Sequence, residues 1–212
     1  RMKDFSKETL AEFIDHLTSD APTPGGGTAA AFAGAMGAAL AAMVAALTLT
    51  REKYAASHDA VRPISQASAA ARREFLDLAR EDSMAYELVV AARRLPKETD
   101  AQKAAREKAL AVANRRATEV PMRTARLAAR MLSLLPELVE KGNPSAASDA
   151  GSAALLLEAA AEGALLNVGT NLSGNPDGAF VAEMRRDTAQ IQADAQRLRD
   201  QVIAAVRKGF AR

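Results

Sequence analysis

Pro22-Thr23-Pro24-Gly25-Gly26-Gly27-Thr28 leads into Ala29 to Leu49, a run without one charged residue, and this stretch decides the fold. Each proline fixes its own φ and disfavours helix in the residue before it, so the approach is stiff. Three glycines then leave the backbone bare and free to adopt φ > 0. Thr28 is a candidate cap, and the alanines after it are strong helix formers. The pattern describes a tight loop at a helix N-terminus, whose unpaired N–H groups can receive a carboxylate, phosphate or carbonyl. An ordinary helix start, with Gly34 and Gly37 allowing close packing, would be written with the same residues. The run is also long enough to span a bilayer. It is mostly alanine, however, and has no aromatic belt, so a buried central helix is the better reading.

Hydrophobic residues make up 49% of the 212, yet aromatics only 4%, so alanine carries much of the count. That favours closely packed helices over a sheet, which would draw on β-branched and aromatic residues. A net charge of +2 offers no basic face, and no nucleic-acid partner is expected. The absence of cysteine excludes disulfides and thiolate metal sites, and His16 and His58 lie in unrelated settings, so no metal is expected. No basic segment followed by a short apolar region opens the sequence, and the expectation is a cytoplasmic chain with no membrane partner. With no repeat and no linker, residues 1–212 read as one all-α domain, a bundle of long, mostly antiparallel helices.

Leu10, Phe13, Ile14 and Leu17 keep the spacing of an amphipathic helix that ends before Pro22. Pro63 suits the first turn of a helix running from about Arg62 to Arg94. In that helix Ile64, Ala67, Ala71, Phe75, Leu78, Ala85 and Val89 form an apolar stripe, and Asp82 stands within it. Glu81 is rotated by about 100° toward the polar side. A carboxylate on a buried stripe is costly unless hydrogen-bonded, paired or used, and burial raises its pKa. Asp82 is therefore either a working group or the partner of an arginine from another helix.

Thr99-Asp100 caps a further helix, which Pro121 is expected to kink or divide and Pro136 to end. Arg115, Arg116, Arg123, Arg126 and Arg130 recur along it; one or two of them can meet an anionic substrate tail. After Gly142-Asn143-Pro144-Ser145, Ser148-Asp149 begins another small-residue helix, with Asn143, Ser148 and Asp149 as candidate caps. Asn167 and Asn171, one turn apart, can read a polar heterocycle or brace a neighbouring backbone. Gly174 to Gly178 is a turn, and a long amphipathic helix through Phe180, Met184, Ile191, Leu198 and Val202 follows.

Taken in order, Pro22–Gly27 with its alanine-rich helix, Leu47-Thr48, Lys53-Tyr54, Glu81-Asp82, Ala85-Tyr86, Leu95-Pro96-Lys97, Val120-Pro121, Gly142-Asn143, Ser148-Asp149-Ala150 and Asn167-Val168 resemble the cyclodeaminase/cyclohydrolase family. The resemblance covers nearly the whole chain and departs at Thr50, where relatives usually carry glycine. It implies a helical homodimer acting on tetrahydrofolate derivatives as substrates, with no permanently bound cofactor. It also implies that Asp82 is the catalytic aspartate, and that Pro24, Gly25, Gly26, Gly27, Lys53, Tyr54, Pro121, Asn143, Ser148, Asp149 and Asn167 bind substrate. The expected activity is methenyltetrahydrofolate cyclohydrolase. Formiminotetrahydrofolate cyclodeaminase is the alternative, and a non-catalytic helical dimer scaffold the second. Packing argues for the dimer independently: Ala29–Leu49 has no polar face, and Gly151–Leu166 has only Glu158 and Glu162. A helix apolar all round needs protein on every side.

Overall fold

In the computed structural model, which describes residues 4–173 and 175–210, six α-helices and three short 3-10 turns pack around a core made largely of alanine. The helices are α1 (Leu10–Leu17), α2 (Gly26–Leu49), α3 (His58–Arg93), α4 (Asp100–Lys141), α5 (Ala147–Leu172) and α6 (Gly178–Phe210), and no strand occurs among the described residues. Gly174, the first residue of the turn before α6, lies outside them. The central helix is α2, packed between α3 and α5, while α4 bridges α3, α5 and α6. Thr9 with Glu12 and Thr99 with Gln102 form reciprocal capping boxes at the starts of α1 and α4.

Small residues set the spacing. A methyl on Gly34 would overlap the ring of Phe75 from α3, and one on Gly37 would come within 2.7 Å of Leu157 from α5. The two glycines thus let α2 sit close to both neighbours, and the buried alanines 31, 38, 41 and 45 extend those contacts. On the opposite side of α2, Ala29, Ala33, Met36, Leu40, Met43 and Leu47 are half-buried or exposed, although none is polar. Both α2 and residues 144–172 are long and apolar enough to cross a bilayer, yet each packs into the bundle along one face.

Three expectations about proline and helix starts require correction. The polar segment 52–57 is a 3-10 turn and α3 begins at His58, so Pro63 falls in the second turn rather than the first. Pro121 and Pro136 neither divide nor end α4, which runs unbroken for 42 residues. Proline in a helix leaves the carbonyl four residues earlier without its donor. For Pro121 that carbonyl is Ala117, and Asn171 from α5 donates to it at 2.7 Å. With Val120, Met122, Ala125 and Leu132 buried along the same helix, tertiary packing outweighs the local cost. Thr50 ends α2 with φ −84°, an ordinary helical value, and its hydroxyl donates to Ala46; the position needs no glycine.

The amphipathic spacing of α1 is real, but only Phe13 is buried by it, its ring centre 4.4 Å from that of Phe32 and tilted by 55°. Leu10, Ile14 and Leu17 remain exposed. In α6, by contrast, Phe180, Met184, Ile191, Leu198 and Val202 all face the core.

Candidate active site

The N-terminus of α2 meets the middle of α3. Gly25 is the N-cap and supplies no side chain to the first-turn N–H groups. The nearest carboxylate comes from α3: Asp82 accepts from the Thr28 hydroxyl at 2.9 Å. Thr28 is therefore not the cap of its own helix. It lies inside the first turn, fully buried, and its hydroxyl, having given its proton to Asp82, accepts from the buried Ser83 hydroxyl at 3.1 Å.

Gly26 and Gly27 work by absence of volume. None of them adopts positive φ; Gly26 and Gly27 are the first helical residues. Any β-carbon on Gly27 would overlap the Asp82 carboxylate, and one on Gly26 would project to 3.4 Å from the Asn167 amide. Burial pushes the Asp82 carboxyl above the usual aspartate range, with its hydrogen bonding to Thr28 opposing it in part. Among the described residues no arginine pairs with it. The candidate partners Arg116 and Arg123 pair instead with Glu81, at 3.4 and 2.7 Å on the polar side of α3. The other three arginines of that series also have acidic partners: Arg115 with Glu119 and Asp177, Arg126 with Asp187, and Arg130 with Glu74.

Asp82 opens into a cleft of about 340 Å³, within the size range of small-molecule sites. Pro22, Thr23 and Gly25 to Gly27 form one wall, and Asp82, Tyr86, Val89 and Arg93 of α3 form another. Asn114 and Ala117 of α4 and Asn167, Thr170 and Asn171 of α5 complete it. Asn167 donates to the Gly163 carbonyl at 2.8 Å, which leaves its amide oxygen beside the glycine wall. Pro24 is buried behind that wall, in a cis peptide with Thr23.

The cleft thus gathers Gly25, Gly26, Gly27, Asp82 and Asn167 from the sequence-predicted set. Pro121 does not reach it; buried in α4, it acts through the Ala117 carbonyl that Asn171 holds. Lys53, Tyr54, Asn143, Ser148 and Asp149 lie at the other end of α2, about 36 Å away by the length of a 24-residue helix. There the Tyr54 hydroxyl donates to Asn143 Oδ1 at 2.9 Å, the Asn143 N–H donates to Thr48 at 2.8 Å, and Lys53 lies over the Tyr54 ring. Asn143 does cap the 3-10 turn that precedes α5. Ser148 is exposed and Asp149 half-buried, one and two residues inside the helix start at Ala147. Sequence reading missed Arg93 and Asn114. For Arg93 the signal was present, since 82, 86, 89 and 93 share one helical face.

An all-helical bundle with one elevated-pKa carboxylate at the mouth of a polar cleft has the parts of an acid–base catalyst. The formiminotransferase-cyclodeaminase family model matches residues 9–190, and the chain belongs to that family. It is 38% identical to a methenyltetrahydrofolate cyclohydrolase of Methylorubrum extorquens, over 94% of this chain and 96% of the relative. It is 34% identical to the formimidoyltransferase-cyclodeaminase of Sus scrofa over 88% of its own length, and spans 35% of that longer protein. The crystal structure of a formiminotetrahydrofolate cyclodeaminase from Thermotoga maritima superposes with a TM-score of 0.86 at 30% identity, covering 97% of this chain and 98% of the other.

The raised pKa of Asp82 has a consequence for stability. Between the ordinary aspartate value of 3.8 and the higher native value, the folded chain holds a proton that the unfolded chain has released. Stability therefore falls as pH rises through that window, and the loss persists at neutral pH. Asp82→Asn removes it. The variant is expected to melt above the wild type at pH 7, with the gap closing as pH falls below 3.8; a variant less stable than wild type at pH 7 would contradict this electrostatic picture.

Proposed function

We propose that the chain is a methenyltetrahydrofolate cyclohydrolase, hydrolysing 5,10-methenyltetrahydrofolate to 10-formyltetrahydrofolate. The observation that carries the reading is the half-buried carboxylate of Asp82, without an ion-pair partner among the described residues, held by Thr28 and facing a polar cleft. The end-to-end likeness to the Methylorubrum cyclohydrolase supports it. In the substrate, the carbon between N5 and N10 is a cationic amidinium and is already electrophilic, so the reading requires no resident cofactor. An ionised Asp82 stabilises that cation and takes a proton from water as its oxygen adds to the carbon. The protonated Asp82 then delivers the proton to N5 as the C–N5 bond breaks. The remaining hydroxyl proton leaves to solvent as the formyl C=O forms on N10. A pKa above the usual carboxylate range suits both halves, since a weak base would accept the first proton poorly.

The cyclodeaminase reaction is the second reading, favoured by the likeness to the Thermotoga structure. There N10 attacks the formimino carbon on N5 and ammonia departs, protonated by the same carboxyl. A scaffold without activity does not account for Asp82, since leucine or alanine at that position would pack without the desolvation cost.

We further propose a cytoplasmic homodimer. Beside the apolar stripe of α2, half-buried to exposed, the chain also exposes Leu155 and Leu166 of α5, the latter 72% exposed, and Leu10, Ile14 and Leu17 of α1, the helix whose Phe13 meets Phe32 of α2. Antiparallel pairing of α2 about a two-fold axis would set the Lys53–Tyr54, Asn143 and Ser148–Asp149 end of one subunit beside the glycine end of the other. That is how those residues would join the cleft and bind substrate. Sedimentation equilibrium at micromolar concentration is expected to give a dimer of the 22.3 kDa chain; an active monomer would overturn the assembly.

Two assays run side by side test the function: loss of methenyltetrahydrofolate absorbance, and ammonia release from formiminotetrahydrofolate. The wild type is expected to be active in the first, and Asp82→Asn to lower kcat by about 10² or more while remaining folded. Near wild-type turnover by the folded variant would remove Asp82 from the mechanism. Ammonia release without hydrolysis would exchange the first reading for the second.

A further inference from the structure

The chemistry above uses one end of the cleft and leaves the other unassigned. Arg93, in the last turn of α3, lines that far end. The five arginines that recur along α4 all have carboxylate partners, whereas no ion pair among the described residues involves Arg93. A cation lining a cleft and left without an anion is placed to receive one from a ligand.

Its register on α3 says which part of the ligand. Asp82 and Arg93 are eleven residues apart; at about 100° and 1.5 Å per residue they return to within about 20° of one face and are separated by roughly 16 Å along the axis. Tyr86 and Val89 stand between them on that face and also line the cleft. The stripe therefore reads, in order, a carboxylate, an aromatic ring, an aliphatic side chain and a guanidinium. A folate follows a complementary order. Its cationic one-carbon bridge is followed by a flat aminobenzoyl ring, one amide, and the carboxylates of glutamate.

We infer that Arg93 forms a carboxylate subsite that binds the glutamate end of the substrate, with Tyr86 and Val89 flanking the aminobenzoyl ring. This rests on the folate reading of the site. The planar guanidinium fork matches a carboxylate in a bidentate manner, and the tyrosine ring offers a face for stacking. Because the subsite is solvent-exposed, its contribution is to affinity and choice of substrate rather than to the chemical step.

The test compares two substrates. One is 5,10-methenyltetrahydrofolate; the other is the same compound with glutamate replaced by a neutral alkylamide. The wild type is expected to show a KM about tenfold lower for the first. In Arg93→Gln that preference disappears through a rise in KM for the glutamate compound alone, with kcat within about twofold of wild type. Arg93→Lys recovers part of the preference. Arg94→Gln, one residue away and outside the cleft, changes neither substrate. If Arg93→Gln raises KM equally for both compounds, or for neither, the subsite is overturned while the folate reading stands. If the wild type turns over neither compound and releases no ammonia from formiminotetrahydrofolate, the folate reading fails and the subsite with it; if it releases ammonia alone, the same comparison is made with the formimino compound and its neutral alkylamide.

Discussion

One contact joins fold and chemistry: the Asp82 carboxylate set against the first turn of α2, bonded to Thr28 and touching the bare α-carbon of Gly27. A helix start leaves N–H groups free, Gly25 offers them no side chain, and α3 sets a carboxylate against that first turn. The acceptor must be short, because α2 and α3 run close together where Gly34 receives the Phe75 ring. It must also stay unpaired, and Arg116 and Arg123 of α4 are occupied by Glu81 one residue away. Neighbouring carboxylates thus take opposite roles. Glu81 ties α3 to α4 on the outside, and Asp82 faces inward with its proton affinity raised by burial.

That arrangement costs stability, since an apolar residue of similar size would pack at the same place without desolvating a charge. The surrounding fold absorbs the cost through close-packed small residues. Ala31, Ala38, Ala41 and Ala45 on α2 and Ala153, Ala160, Ala161 and Ala164 on α5 are all fully buried, each contributing little area but permitting near contact of helix backbones. The outward stripe of α2, apolar and half-buried to exposed, is a face that this packing does not fully cover within a single chain.

The stripe of α3 was legible in sequence because a 3.6-residue period is read directly from side-chain polarity, and Asp82 stood out against it. Of the two reasons read for the glycine loop, free φ is not used and the bare backbone is. Gly27 leaves space for a carboxylate that arrives from residue 82, and sequence spacing does not display such a contact. Pro121 misled for a related reason. A local rule predicts a break, whereas Asn171, 50 positions downstream, repairs the orphaned carbonyl of Ala117. The arginines of α4 were visible as a series, yet which had acidic partners depended on the packing of α3 and α6 beside them. Lys53, Tyr54 and Asn143 do form a polar cluster, at the other end of α2 from Asp82; a one-dimensional order of motifs carries no information about which end of a helix each occupies.

The central claim is that burial, opposed by Thr28, holds the Asp82 carboxyl above the ordinary aspartate range. A carbon-13 NMR titration of the aspartate side-chain carboxyls, with Asp82 assigned by its loss in Asp82→Asn, measures this directly. The account predicts a midpoint above 3.8 in the wild type and a higher one in Thr28→Val, where the hydroxyl donor is gone. A midpoint at or below 3.8, or one that Thr28→Val leaves unmoved, would contradict it.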